Sequence, residues 1–267
     1  MIRLVVAGAA GRMGKMILTL AAQDKFFQIT GGLEQAGSPA AGKDIGEVIG
    51  TAKLGAAIST KPVEALKNAQ VLIDFTHPSA VAANLEAALK AKAAYVLGTT
   101  GLGDAALRSL NEASQSIAIV QSPNMSVGVN LLFRLAEIAG KSLDERYDIE
   151  IVEAHHRMKK DSPSGTAMKL LEILAEARGK DAKKTAVYGR EGEVGARPKG
   201  EIGVLAMRGG DVVGDHTVSF LGDGERIELT HKASSREAFA QGALLAGKFV
   251  VRQKHGLYSM MQVLGIA

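Results

Sequence analysis

The sequence predicts an α/β protein, in which a parallel sheet with crossover helices precedes an α+β region with an open, mainly antiparallel sheet. Short apolar runs alternate with amphipathic helical segments up to residue 126, which is typical of a parallel sheet. Beyond residue 126, strand patterns are separated by glycine-rich turns, which is typical of antiparallel strands. We therefore predict one domain at 1–126 and 236–267 and a second at 127–235.

A glycine-rich turn connects the first predicted strand, at 4–7, to a helix at 15–22. Its sequence is Gly8-Ala9-Ala10-Gly11-Arg12-Met13-Gly14. Glycines at this spacing let the backbone approach a pyrophosphate at the helix N-terminus, although a plain glycine turn is the alternative. The second strand, at 27–33, ends beside Glu34, whose carboxylate can accept hydrogen bonds from ribose hydroxyls. We therefore predict a Rossmann-type nucleotide domain that binds a dinucleotide.

Further strands are predicted at 71–75, 95–98 and 117–120, with helices at 79–90 and 104–114. Ligands of parallel sheets bind at the carboxyl ends of the strands. Three loops lie at these ends: Phe75-Thr76-His77-Pro78, Gly98-Thr99-Thr100-Gly101 and Ser122-Pro123-Asn124-Met125. Their residue types are common in any turn, but their position favours a lining for the nicotinamide half of the site.

The second half contains predicted helices at 130–141 and 167–178 and strands at 147–152, 202–208, 217–221 and 226–231. Glycine turns at 209–211 and 222–224 suggest a meander. Since an open sheet leaves a face and edges exposed, we expect this sheet to be buried against another subunit. The segment at 179–200, rich in glycine and charge, is expected to be a flexible loop near the site.

A capping-box pattern, Ser234-Ser235-Arg236-Glu237, precedes a last long helix that extends to about residue 252. The apolar face of this helix carries Phe239, Leu244, Leu245 and Phe249. We expect this face to pack on the first domain, which would make the nucleotide domain discontinuous in sequence.

The most informative segment is the charged turn, defined as Glu153-Ala154-His155-His156-Arg157-Met158-Lys159-Lys160-Asp161-Ser162-Pro163-Ser164-Gly165-Thr166. Histidine titrates near neutrality and lysine is a cationic donor, so together they can protonate a substrate and hold its carboxylate. The residues from Ser164 to Thr166 supply backbone N–H groups at a helix start, where the helix dipole favours an anion.

The charged turn also has structural explanations. The turn could be only a solvated loop, with Ser162 as the helix N-cap and Pro163 as the first helical residue. A zinc site shared by His155 and His156 is not expected, because adjacent strand residues point to opposite faces. We therefore predict no metal, and favour an acid–base and anion-binding site.

Composition excludes several classes of protein. Without cysteine the chain has no disulfide, zinc–thiolate site or cysteine nucleophile. The net charge of +4 is spread along the chain and aromatic residues make up only 4%, which argues against nucleic-acid binding and leaves acidic small molecules as ligands. No apolar run reaches the roughly 18 residues of a membrane span, and Gly8, Arg12, Gly14 and Lys15 interrupt any signal-peptide core. We expect a cytoplasmic protein that does not bind membranes.

Taken together, these motifs resemble the 4-hydroxy-tetrahydrodipicolinate reductase family, also called dihydrodipicolinate reductase, over nearly the whole chain. The charged turn is highly specific to that family. The other segments that carry the resemblance are VAGAAGRMG at 6–14, DFT at 74–76, GTTG at 98–101, NMSVGVN at 124–130 and RGGDVVGDHTV at 208–218. The resemblance implies NAD(P)H-dependent reduction of 4-hydroxy-tetrahydrodipicolinate, through dihydrodipicolinate, to tetrahydrodipicolinate in lysine and diaminopimelate biosynthesis. It also implies a homotetramer whose carboxyl-terminal sheets form the core.

The same resemblance implies roles for individual residues. His155 is expected to be the catalytic acid/base and Lys159 a proton donor, and which of them protonates the product stays open. The expected contacts of the dicarboxylate substrate are His156, Lys159, Ser164, Gly165 and Thr166. The expected dinucleotide contacts are Gly8, Ala9, Ala10, Gly11, Arg12, Met13, Glu34, Gln35, Phe75, His77, Gly98, Thr99, Thr100, Ser122, Pro123, Asn124 and Met125.

Two departures from the family pattern concern the cofactor. Many relatives carry arginine where this chain has Gln35 and His77. Arginine at the first position could pair with a 2′-phosphate, whereas glutamine has no charge to offer, and Arg12 could compensate only in part. We therefore expect NADH to be preferred, with NADPH as the alternative cofactor.

Other functions fit the same residues less well. Another Rossmann-fold dehydrogenase acting on a small dicarboxylate is the main alternative. Aspartate-semialdehyde dehydrogenase needs an acylated cysteine, which this chain lacks, and a 2-hydroxy acid dehydrogenase would not need an anion cradle beside paired lysines. A dinucleotide-sensing repressor would need a helix-turn-helix module and a basic face, for which we see no room.

Overall fold

The structure, a computed structural model, describes all 267 residues and divides into two compact units. Residues 1–127 and 236–267 form the first unit, and residues 128–235 form the second. No helix is both long enough and apolar enough to cross a membrane.

Strands and helices alternate over most of the chain. Those up to residue 142 are β1 (Ile2–Ala7), α1 (Arg12–Gln23), β2 (Phe27–Leu33), α2 (Ile45–Ile49), β3 (Ile58–Ser59), α3 (Pro62–Ala65), β4 (Val71–Asp74), α4 (Pro78–Ala91), β5 (Ala94–Leu97), α5 (Asp104–Ala113), β6 (Ala118–Gln121) and α6 (Val127–Ser142). Those that follow are β7 (Asp148–His155), α7 (Gly165–Ala177), α8 (Ala182–Thr185), β8 (Ala186–Val187), β9 (Ile202–Arg208), β10 (Gly214–Gly222), β11 (Glu225–Ala233), α9 (Glu237–Val250), β12 (Gly256–Tyr258) and α10 (Met260–Leu264).

The first unit contains a seven-stranded parallel sheet in the order β12-β6-β5-β4-β1-β2-β3. Alternate residues of β1 serve two cores: Leu4 and Val6 pack with α1 and α9, whereas Val5 and Ala7 pack with α4 and α5. Helices therefore cover both faces, which explains why the strands are almost wholly apolar. The predicted Rossmann-type α/β class is confirmed.

Several elements of the first unit were not predicted. The strands β3 and β12 have only two and three residues, which is too short for a periodic pattern to be recognised. The predicted capping box is wrong in position, because α9 begins after Arg236, which makes no side-chain cap bond. The predicted apolar face of α9 is wrong in part: Leu245 is 38% exposed, and small residues such as Ala240, Ala243 and Gly247 form most of the buried face.

The second unit contains a five-stranded sheet in the order β11-β10-β7-β9-β8. Strand β10 is antiparallel to β7 and β11, whereas β9 is parallel to β7 and β8. The sheet is therefore mixed, and the predicted meander is wrong because β7 lies between β9 and β10. Helix α7 packs against β7 and β9.

The segment at 179–200, predicted to be a flexible loop, is irregular only in part. Residues 182–187 form α8 and β8, and β8 pairs with β9, whereas residues 188–200 form no helix or strand. Arg190 and Arg197 both bind Glu150 on β7, at 3.0 and 3.2 Å. Arg197 also donates to the backbone oxygen of Glu201 at 2.6 Å. The acids and arginines are distant in sequence, so their pairing could not be inferred from a local pattern.

Candidate active site

The charged turn begins on β7, whose alternation determines which side chains are buried. Ile149 and Ile151 are buried apolar residues, and Glu153 and His155 follow on the same face, only 0% and 9% exposed. A carboxylate and an imidazole therefore occupy positions that the strand period assigns to the core. Groups of this kind need partners, because an unpaired buried charge is costly.

Glu153 finds its partners in three different parts of the second unit. Its Oε2 accepts from His155 Nδ1 at 2.6 Å, and its Oε1 accepts from the backbone N–H of Ser164 at 2.8 Å. Arg208, at the end of β9, donates one Nη to each oxygen at 2.8 Å. Burial raises the pKa of the Glu153 carboxyl, but the bonds from Arg208, His155 and Ser164 outweigh it and hold the pKa below its usual value.

His155 is consequently held in one orientation. A carboxylate can only accept, so the Nδ1 of His155 carries a hydrogen and Nε2 is the nitrogen available for chemistry. A Cβ on Gly214 would lie 3.0 Å from this Nε2, so glycine leaves space there. Burial lowers the pKa of His155 and outweighs the opposing effect of Glu153, while Lys159 and Arg208 lower it further.

The helix after the turn begins at Gly165, with Ser164 as the N-cap. The Oγ of Ser164 accepts from the backbone N–H of Ala167 at 3.2 Å. The alternative start at Ser162 and Pro163 is therefore wrong, because Glu153 holds the Ser164 amide and so sets where the helix begins. Apart from its chain neighbours and the backbone of its own helix, no atom lies within 4 Å of the position of a Cβ on Gly165, which leaves space beside the first turn of α7. This first turn can receive an anion.

The turn also carries the other two predicted cationic or donor groups. Lys159 Nζ lies 2.9 Å from Asp161 Oδ2, and the side chain of Lys159 is 20% exposed. The backbone carbonyl of Asp161 accepts from Arg208 at 2.8 Å, so the same arginine contacts both the carboxylate and the loop. His156 is half-buried at the end of β7, and its backbone N–H donates to Val212 at 2.7 Å.

His216 was not predicted, although it lies opposite Glu153 in the β7–β10 register. Its ring is edge-on to His155 with centroids 5.2 Å apart, and its Nε2 lies 3.0 Å from Ser164 Oγ. Its Nδ1 is buried without a hydrogen-bond partner. Burial, together with His155, lowers the pKa of His216 from an ordinary 6.5 to about 3. Arg208 and His216 both lie in the 208–218 segment that carries the family resemblance, but no local pattern shows their relation to Glu153, since that depends on the sheet order.

In the first unit, the glycine-rich turn has the geometry of a dinucleotide loop. Gly8 has a φ of 72°, in the region that favours glycine. A Cβ on Gly14 would lie 2.0 Å from the Gly8 carbonyl oxygen, so only glycine lets α1 pack this closely on the turn. Glu34 Oε1 accepts from the Ala10 amide at 2.8 Å, which holds the acid beside the turn.

A cavity of about 540 Å³ opens beside this turn. Six of the predicted dinucleotide contacts line it: Gly8, Gly11, Glu34, Gln35, Phe75 and His77. The side chain of His77 also caps α4, because Nδ1 accepts from the Ser79 amide at 3.3 Å. Arg12 is exposed at the start of α1. The size of the cavity and its mainly apolar lining, with a few polar groups such as Glu34 and Gln35, are suitable for part of a dinucleotide.

Other predicted contacts lie outside that lining. A Cβ on Gly98 would lie 2.3 Å from the Phe75 ring, so glycine permits the ring to pack there. Asn124 Oδ1 accepts from the Ser126 amide at 2.8 Å, and its carbonyl accepts from Ser122 Oγ at 2.7 Å. The Met125 side chain belongs to the core, which leaves its backbone for any contact. The remaining predicted contacts outside the lining are Ala9, Ala10, Arg12, Met13, Thr99, Thr100 and Pro123.

Asp74, which was not among the predicted site residues, organises two of the predicted loops. It is fully buried at the end of β4. Its oxygens accept from Thr76 Oγ1 and Tyr95 OH, each at 2.6 Å, from Asn84 Nδ2 at 2.8 Å, and from Thr99 Oγ1 at 3.4 Å. Burial raises the pKa of Tyr95 well above its usual range, and the Asp74 carboxylate adds to this. One acid thus connects the loops after β4 and β5.

A parallel nucleotide sheet with a glycine turn, together with a unit that buries a glutamate–histidine pair beside a helix start, defines a pyridine-nucleotide-dependent oxidoreductase. Residues 2–125 match the family model of the dihydrodipicolinate reductase N-terminus, and residues 128–264 match that of the C-terminus. The chain belongs to the dihydrodipicolinate reductase family.

Individual relatives are similar over the full length. The 4-hydroxy-tetrahydrodipicolinate reductase of Polynucleobacter necessarius subsp. necessarius is 49% identical and that of Nitrosomonas europaea 48%; each match covers 99% of this chain and 99% and 98% of the relative. Among solved structures, the dipicolinate-bound dihydrodipicolinate reductase from Paenisporosarcina sp. TG-14 superposes with a TM-score of 0.77 at 23% identity, covering 98% of both chains. This last likeness shows the fold. These relatives do not support the alternative of a different dehydrogenase.

Proposed function

We propose that this oxidoreductase reduces 4-hydroxy-tetrahydrodipicolinate, through dihydrodipicolinate, to tetrahydrodipicolinate in lysine and diaminopimelate biosynthesis. Full-length relatives that carry this activity in their names support the proposal. The observation that carries it is the buried Glu153–His155 pair next to the N-terminus of α7. A proton-transfer group beside an anion-binding helix start is what reduction of a cyclic dicarboxylate requires.

The first unit holds the dinucleotide in this proposal. The amides of Arg12 and Met13 at the start of α1 bind the pyrophosphate, and Glu34 accepts from ribose hydroxyls with the oxygen that does not bind Ala10. The bound cofactor supplies a hydride from nicotinamide C4. Because Gln35 offers no charge to a 2′-phosphate, we propose that NADH is preferred over NADPH.

The second unit binds the substrate and moves the proton. The amides of Gly165 and Thr166, with Ser164, hold one ring carboxylate, while Lys159 and His156 contact the substrate as donors. Hydride addition to the conjugated cyclic imine leaves an electron-rich ring, which takes a proton from Lys159 Nζ, or from His155 Nε2 when that ring is in its protonated form. The lost proton is then regained from solvent, so the group returns to its starting state.

The proposal extends to organisation. We assign dinucleotide binding to residues 1–126 and 236–267, and substrate binding and tetramerisation to residues 127–235. A cytoplasmic location is proposed on the ground that reduced pyridine nucleotide is supplied there. Exposed apolar side chains in the second unit support self-association, including Leu131, Leu135 and Ile138 on α6.

An assay coupled to the upstream synthase, following NADH absorbance, tests the proposal. We expect the wild type to turn over, and His155→Ala and Lys159→Ala to lose roughly 10²- to 10⁴-fold in kcat, the usual contribution of a positioned acid. The Kd for NADH, measured by fluorescence, should stay nearly unchanged. Lys160→Ala, which removes an exposed neighbouring lysine, is the matched control.

Three results would contradict parts of the proposal. Absence of substrate-dependent NADH oxidation by the wild type would contradict the activity. Unaltered turnover in both His155→Ala and Lys159→Ala would contradict the assigned roles. A lower KM for NADPH than for NADH would contradict the cofactor preference.

A further inference from the structure

Glu153 lies between the two chemical parts of the substrate site. Its Oε2 binds the ring of His155 and its Oε1 binds the backbone of Ser164, which caps α7. Its side chain is fully buried, so both oxygens depend on protein partners. The proton-transfer group and the anion-binding helix start are thus attached to one carboxylate.

Arg208 completes this arrangement from a strand distant in sequence. Its two Nη atoms each donate to a different oxygen of Glu153 at 2.8 Å, the bidentate geometry of a strong arginine–carboxylate pair. Each Glu153 oxygen therefore accepts two hydrogen bonds, and all four donors are N–H groups. Arg208 also donates to the carbonyl of Asp161, whose side chain pairs with Lys159.

We propose that Glu153 and Arg208 are positioning residues, whose ion pair holds His155 with Nε2 available for proton transfer and at the same time fixes the first turn of α7. This inference rests on the role of His155 proposed above. It assigns no contact with the substrate to either residue. Both act through His155, Ser164 and the loop of Asp161.

Glu153 and Arg208 have opposite effects on the pKa of His155. Burial is the main cause that lowers the pKa of His155, and Glu153 raises it, whereas Lys159 and Arg208 lower it. The ring of His216 also faces the ring of His155, and Asp161 contacts Arg208 through its backbone carbonyl. Removing the Glu153 charge should therefore lower the pKa of His155 further, and removing the Arg208 charge should raise it.

Glu153→Gln tests the carboxylate with almost no change in shape. A glutamine amide must turn its NH₂ group toward two of the four N–H donors, one of them from Arg208, so either His155 changes tautomer or the Ser164 contact is lost. We expect kcat to fall by roughly 10²-fold or more and the pH limb that reports His155 to move to lower pH. The ¹⁵N spectrum of labelled imidazole distinguishes the two cases: the Nδ1–H form is lost in the first and kept in the second, in which the KM for the dicarboxylate should rise instead.

Arg208→Met should move the same limb to higher pH. The double variant Glu153→Gln/Arg208→Met removes both charges, so its Tm should recover relative to either single variant. Its kcat should stay low, because the glutamine still cannot accept from both His155 and Ser164. Glu150→Gln is the control, since Glu150 lies on the opposite face of β7 and pairs with Arg190 and Arg197; it should change Tm only.

The outcomes separate this inference from the proposed function. If His155→Ala is inactive but Glu153→Gln retains kcat and its pH limb, the positioning role is overturned and the role of His155 stands. If both single variants move the limb in the same direction, or the double variant regains kcat together with Tm, the pair is only structural and the inference fails. An active His155→Ala removes the premise and overturns the inference, whereas the reductase activity of the proposed function would stand.

Discussion

His216, in the second unit, has a lowered pKa because of the place that the fold gives it. His216 contacts Ser164 and stacks edge-on against His155, yet its Nδ1 finds no partner. An imidazolium there would have to be desolvated beside other potential cations, which is why the ring stays neutral. Because His216 is neutral, it places no positive charge beside His155. The Nε2 of His216 contacts the Oγ of Ser164, the N-cap of α7.

The depressed pKa of His216 predicts an acid-sensitive stability. The unfolded chain binds this proton below an ordinary 6.5, whereas the folded state resists it down to about 3. His216 therefore does not reduce the free energy of unfolding above pH 6.5, and it reduces that free energy progressively as the pH falls toward 3. Urea unfolding of the wild type between pH 7 and 4.5 should show a steeper loss of stability than His216→Gln.

Other histidines contribute to the same slope. The pKa values of His155 and His231 are also lowered, mainly by burial, so the slope in His216→Gln should be reduced and not abolished. His255→Gln, which removes an exposed histidine, should keep the wild-type slope. An identical slope in His216→Gln and wild type would mean that His216 is protonated in the folded state.

At the scale of elements, the start of α7 is determined from outside the helix. Ser164 caps the helix with its own hydroxyl, but its backbone is held by Glu153 on β7 and its Oγ contacts His216 on β10. Strand β7 contributes because alternation places Glu153 and His155 on the face that carries Ile149 and Ile151. The start of α7 is therefore fixed by residues of β7 and β10 and is not a free loop end.

Ser164→Ala should consequently affect both folding and substrate binding. We expect a loss of about 0.5–2 kcal/mol in the free energy of unfolding, as for other N-caps, together with a higher KM for the dicarboxylate. Ser259→Ala removes a comparable cap on α10, where Oγ accepts from the Gln262 amide, and should cost similar stability without a change in KM. Equal KM values for the two variants would show that the α7 start does not bind substrate.

On the scale of the whole molecule, the second unit exposes apolar side chains and a strand edge without a neighbouring strand. Strand β11 is an edge strand of nine residues that is largely exposed, and it carries Ile227 at 40% exposure. Met207 on β9 is 57% exposed. Long exposed edges are usually covered in native proteins, and a second copy of the chain would do so here.

Ile227→Glu should therefore shift the proposed tetramer to smaller species in sedimentation velocity, because a carboxylate would be buried in the proposed interface. Leu107→Glu places the same charge at an exposed leucine on α5 of the first unit, and should leave the mass unchanged. A monomeric wild type at micromolar concentration would contradict the assembly itself.

The sequence by itself determined what depends on local pattern. Alternating apolar runs and helical periods predict the parallel sheet, because burial of both faces leaves a direct record in residue type. The glycine spacing from Gly8 to Gly14 and the turn from Glu153 to Thr166 could also be recognised, since each feature lies within a short segment. The charge of Glu153 at an apolar strand position was a further local signal that sequence reasoning did not use.

Only the tertiary structure decided which distant groups join that turn. Arg208 is 55 residues from Glu153, and His216 is 52 residues from Ser164. They meet because β9 and β10 flank β7, an order that the glycine turns had suggested to be a meander. Strand order depends on how whole faces pack and on which strands exchange hydrogen bonds, and no local periodicity records it.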